Sequence, residues 1–111
     1  MTTRAISSAS RYAMRVPINL HTGNAQTCTG LLIELSQDGM RVSGLDRLQL
    51  DTDQVVTLSV HESQPLDGTI RWARDGIAGI RLNKPLHLAE LEVLLDFNHA
   101  FQRQDMPRYG T

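Results

Sequence analysis

Between Val55 and His61 the chain alternates without a break: Val56, Leu58 and Val60 fall on one side, Val55, Thr57 and Ser59 on the other. A period of two marks a strand with one buried face, because successive side chains of a strand point to opposite sides. The same signal recurs in short runs. Val16, Ile18 and Leu20 alternate with Pro17, Asn19 and His21, and Pro17 limits that strand to an edge or a strand start. Gln26 to Leu35, Met40 to Val42, Gly68 to Ala73 and Ile77 to Leu82 complete a set of six. Turn residues separate the runs: Thr22-Gly23-Asn24, then Gln37-Asp38-Gly39, where a positive backbone angle suits glycine, then Asp75-Gly76. Six short strands with turns between them predict a small closed or nearly closed antiparallel β-barrel.

After Pro85 the period changes. Leu88, Leu91, Leu95 and Phe97 to Phe101 follow helical spacing, with Glu90, Glu92 and Asp96 outside, so one C-terminal helix packs on the barrel. The expected layout is a flexible N-terminal segment over 1–10, one folded domain over 11–103 and a tail over 104–111. At 41% hydrophobic residues in 111 positions, one core forms without disulfides or metals. Cys28 is the single cysteine, read as a small buried thiol within a strand. The four histidines are scattered and give no metal-ligand spacing. No apolar run resembles a signal peptide or reaches membrane-spanning length, so a cytoplasmic protein with no membrane insertion is expected.

The charge is −1 overall but uneven. Arg4, Arg11 and Arg15 precede the first acid, Glu34, and ten of the eleven basic residues are arginine. Arginine offers a planar fork for phosphate and guanine edges and stacks on flat rings. A spacing of four places Arg11 and Arg15 on one face of a helix or of a strand, so both conformations let them converge on an anion or a guanine Hoogsteen edge. Taken alone, the pair reads as two solvated side chains.

Glu34, Ser36 and Gly39 form a second group. A carboxylate accepts from the N1 and N2 donors of guanine, a serine hydroxyl donates or accepts, and glycine lets a flat base approach the backbone. Taken alone, this is an ordinary hairpin turn capped by Ser36 and Asp38. Trp72 alternates with Ile70, which favours a core position, although a tryptophan near a barrel rim is also a stacking platform. Arg74 shares the Trp72 face and reads as a surface ion pair with Asp75 or Asp38. No catalytic pair, nucleophile–base order or glycine-rich phosphate loop stands out, so the chain does not read as an enzyme. One Trp, two Tyr and two Phe with no net positive charge argue against a single-stranded nucleic-acid barrel.

In combination these motifs resemble the PilZ family, a bacterial family that binds cyclic di-GMP. The order is RxxxR at 11–15, a strand, Glu34-x-Ser36-x-x-Gly39, then Gly68-Thr69-Ile70-Arg71-Trp72 and Gly79-Ile80-Arg81-Leu82. The resemblance spans residues 8 to 100 and implies a six-stranded split barrel followed by a helix. It implies that Arg11 and Arg15 bind phosphates and guanine edges, that Ser36 and Gly39 line the opposite wall, and that a guanine stacks on Trp72. The N-terminal segment would close over the ligand, and the changed surface would signal to an unidentified protein effector in motility, chemotaxis, pili or exopolysaccharide control. Two departures bear on binding. Glu34 stands where the family has Asp or Asn, one methylene longer, which weakens the contact or shifts the base. Ser10 stands where many members carry a third arginine, which points to one ligand or weak binding of two. A PilZ-like adaptor with weak or no nucleotide binding is the alternative.

Overall fold

The computed structural model describes residues 10–61 and 63–105, with the side chains of 99–105 outside that description. Seven elements follow in order: β1 (Tyr12–Thr22), β2 (Thr27–Leu35), β3 (Gly39–Ser43), β4 (Val55–Ser59), β5 (Leu66–Arg74), β6 (Ile77–Leu82) and the helix α1 (Leu88–Asp105). The strands close into a barrel in the order β1-β2-β3-β6-β5-β4, every pair antiparallel. The predicted barrel with a C-terminal helix is therefore the observed architecture.

The period of two does what it predicts. Along β1, Met14, Val16, Ile18, Leu20 and Thr22 are buried, and the residues between them are exposed. Val56, Leu58 and Val60 turn inward from the β4 region and meet Leu32, Leu35, Val42, Ile70 and Ile80 in one core. The Asp75-Gly76 turn has positive φ at both residues (56° and 78°), the twist that a two-residue hairpin needs.

Leu91, Leu94 and Leu95 of α1 join the same core, and the helix packs on β1. Full burial of one such leucine is worth about 1.5–3 kcal/mol. The Glu90 carboxylate accepts the His87 backbone N–H at 2.8 Å, half of a capping box that starts the helix after Pro85.

Several expectations shift. The first strand begins at Tyr12, four residues before Val16, so Arg15 lies within it and not ahead of it. Pro17 sits in the half of β1 that β4 does not reach, which spares a ladder bond. Leu88 is exposed while Leu94, absent from the expected stripe, is buried. Cys28 is half-buried at the barrel surface and not enclosed. Gly39 is not among the residues with positive φ. Its absent side chain serves a close approach instead: a Cβ there would stand 3.0 Å from the Ile80 carbonyl oxygen. Residues 1–9 of the segment read as flexible over 1–10, and residues 106–111 of the tail read over 104–111, lie outside the described residues, as does the Phe101 side chain.

Candidate functional site

Three irregularities in strand pairing cluster on neighbouring strands. The β1–β2 register slips between Ala13 and Val16, β2–β3 between Leu32 and Glu34, and β5–β6 between Ile70 and Trp72. Each inserts an extra residue in one strand, and such bulges bend a strand and re-aim its side chains. The second sets Glu34 opposite Arg41. The third sets Trp72 opposite Gly79, whereas Ile70, two residues earlier, is fully buried opposite Ile80. Trp72 is consequently half-buried on the outer surface, not in the core where strict alternation with Ile70 would put it.

The indole lies directly on Gly79. A Cβ at that position would come within 2.5 Å of the Trp72 Cε2 atom, so only glycine admits the ring. Two guanidinium groups stand over the indole, those of Arg41 and Arg74, each with Cζ 5.6 Å from the ring centroid. Arg74 thus takes a cation–π position, and no ion pair with Asp75 or Asp38 is found for it among the described residues.

Glu34 faces two arginines. Its Oε1 is 3.8 Å from Arg41 Nη2 and 3.9 Å from Arg11 Nη1. Pairs this long and this exposed contribute at most about 1 kcal/mol each. The turn beside them is firmer. Ser36 N–H donates to the Gly39 carbonyl at 2.9 Å, and Ser36 Oγ donates to Asp38 Oδ1 at 3.1 Å. Leu82 and Leu86 donate their backbone N–H groups to the carbonyls of Asp38 and Gln37, fastening the turn to the segment that leads into α1. The capping role expected of Ser36 and Asp38 is therefore present, and it leaves Glu34 on a rigid frame.

Beside this turn and the indole opens a cleft of about 320 Å³, at the lower end of ligand-site sizes. Arg11, Glu34, Ser36, Gly39 and Trp72 line it. Arg15 does not: it follows Ala13 along the outward row of β1, and its backbone N–H donates to Asn98 Oδ1 at 2.7 Å.

A family model for the PilZ domain matches residues 6–100. The chain belongs to the PilZ domain family. No curated protein matches it. Among solved structures, the PilZ domain of CeSA from a cellulose-synthesizing bacterium superposes with a TM-score of 0.62 at 15% identity, covering 85% of this chain and 99% of that one. The Bacillus subtilis inhibitor of motility, MotI/DgrA, superposes at 0.60 with 12% identity over 96% of this chain and 55% of the other, so this chain spans about half of that protein. At such identities the likeness is one of fold.

This PilZ cleft holds more cations than the motifs announce. Arg41, Arg71 and Arg81 join Arg11 in its wall, so four guanidinium groups face two carboxylates, Glu34 and Asp38, in a protein of net charge −1. Sequence reasoning quoted Arg71, Gly79 and Arg81 only within the stretches that carry the resemblance, and it gave neither them nor Arg41 a role in the site. Alternation would have pointed Arg41 and Arg81 outward, since each is flanked by buried apolar residues. Arg71 occupies the bulge before Trp72, where alternation gives no direction. An arginine-rich wall around a flat aromatic ring can hold phosphates while a base stacks, and the carboxylate between them selects for a base with donors on its edge.

No helix among the described residues is long and apolar enough to cross a membrane. PilZ domains are binding and adaptor modules, and catalytic chemistry is not their role.

Proposed function

We propose that this PilZ domain is a receptor for cyclic di-GMP, which it binds in the arginine-lined cleft and reports to a protein partner. The observation that carries the reading is the position of Trp72 on Gly79, beside Glu34 and within a wall of four arginines. One guanine stacks on the indole. Its N1 and N2 donors meet Glu34, with Ser36 and Gly39 on the adjoining wall. Arg11, just ahead of β1, takes phosphate from the cleft, and Arg15, exposed on the outward row of β1, takes it from the rim. The family membership supports the ligand class. The structural neighbours, an inhibitor of motility and a PilZ domain from a cellulose-synthesizing bacterium, support motility or exopolysaccharide control as outputs.

One observation favours the adaptor reading: Glu34 and Trp72 are already engaged by arginines of the same chain. Calorimetric titration with cyclic di-GMP, with GTP as control and Trp72 fluorescence in parallel, separates the two. A receptor gives saturable heat for cyclic di-GMP and a change in Trp72 emission. An adaptor gives neither at high micromolar ligand.

A further inference from the structure

Among the described residues, Arg41 is the one side chain that contacts both Glu34 and Trp72. Its Nη2 is 3.8 Å from Glu34 Oε1, and its Cζ lies 5.6 Å from the Trp72 ring centroid. Its side chain is only partly exposed, at 41%, against 70% for Arg11 on the other side of Glu34. A guanidinium is a flat unit with N–H donors along one edge. The N1, C2 and N2 atoms of guanine make the same unit: a planar carbon bearing two adjacent N–H donors. A carboxylate at the edge and an indole against the face suit both.

We infer that Arg41 is a specificity-determining residue that occupies, in the free protein, the place of a guanine base between Glu34 and Trp72. This deepens the receptor reading and rests on it. An entering base must displace Arg41 from both neighbours. Guanine replaces both donors that Glu34 loses, whereas adenine offers a single amino donor at N6 beside an N1 lone pair that repels the carboxylate. Arg41 therefore acts as a filter, excluding bases that cannot return what they remove. Its hold is weak enough to be displaced, because an exposed cation–π contact and a long ion pair each contribute little.

The bay can be tested without a nucleotide. In the Arg41→Ala variant the vacated place is open to methylguanidinium, and the single tryptophan reports its filling. Millimolar methylguanidinium should change Trp72 emission saturably in Arg41→Ala and leave the parent unchanged. Methylammonium, which is not planar, should give no saturable change in either. The response should vanish in the Arg41→Ala, Glu34→Gln double variant, with thermal unfolding confirming that each variant is folded. No saturable response in Arg41→Ala, or one that persists without the Glu34 carboxylate, would overturn the inference. Cyclic di-GMP added to the same proteins judges the receptor reading separately. It should bind the variant about threefold to tenfold more tightly at salt high enough to screen the lost charge, and methylguanidinium should compete with it. Binding to neither protein, with the methylguanidinium response intact, would sink the receptor reading and leave the bay assignment standing. Weaker binding to the variant under those conditions would make Arg41 a ligand contact and overturn its role as a filter.

Discussion

The backbone N–H of Arg15 donates to the Asn98 side-chain oxygen at 2.7 Å, across 83 positions of sequence. Arg15 is the second arginine of the RxxxR motif, and Asn98 is a buried polar residue on α1. The bond lies beside the β1 bulge, in the half of β1 that β4 does not pair. It gives an otherwise unladdered amide a partner and fixes the helix against the strand that carries the motif.

Replacing Asn98 by Ala should therefore destabilise the domain by about 1 kcal/mol, the net worth of a partly buried hydrogen bond. Urea unfolding measures it. Val93→Ala on the exposed side of the same helix is the control and should stay within about 0.5 kcal/mol. Equal effects at the two positions would mean that the helix is held by its leucines alone.

That bond is made by the backbone of Arg15, so it survives removal of the exposed side chain. Arg15→Ala and Arg11→Ala should each leave the unfolding midpoint almost unchanged. Each should weaken cyclic di-GMP binding by at least about tenfold, the scale of one charge-assisted hydrogen bond. Arg15→Ala binding as well as the parent would remove Arg15 from the site and leave the cleft to Arg11, Arg41, Arg71 and Arg81.

The barrel was legible because its signals are local and repetitive. Val16, Ile18 and Leu20 state the buried face of β1 by period alone, and Asp75-Gly76 states its turn by residue type. The site was legible as a set of motifs but not as a shape. A bulge adds one residue without changing composition, so nothing in Ile70-Arg71-Trp72 says that Trp72 leaves the core side. What reverses it is the pairing with Gly79, a contact fixed only when β5 and β6 register. Arg41 was overlooked for a similar reason: its meaning comes from Glu34 and Trp72, which lie on two other strands.

Gly79 consequently carries a prediction of its own. A methyl group at Gly79→Ala would overlap the indole, and the ring would have to lift away from β6. The expected cost is about 1–3 kcal/mol, typical of overpacking. Trp72 emission should move to longer wavelength as the ring becomes more exposed, and cyclic di-GMP affinity should fall with it. An unshifted emission spectrum in Gly79→Ala would show that the indole does not depend on the glycine for its seat.

Glu34 decides how far the longer side chain matters. Glu34 sits in the position where family members carry Asp or Asn, and here it reaches two arginines at 3.8 and 3.9 Å. Glu34→Asp withdraws the carboxylate by one methylene towards β2. It stretches both ion pairs beyond useful range while keeping an acceptor for a guanine edge. With Arg11 and Arg41 released, a receptor should bind cyclic di-GMP as well as the parent or better, and stability should change by less than about 1 kcal/mol because both pairs are exposed. Calorimetry on the two proteins side by side is sufficient. Saturable binding to both would show that the acceptor, and not its reach, is what the site requires. A large loss in Glu34→Asp would show that the cleft is built to the longer side chain, with the base seated further from the strand. Binding to neither would leave this PilZ domain as an adaptor whose arginines engage Glu34 and Trp72 and no nucleotide.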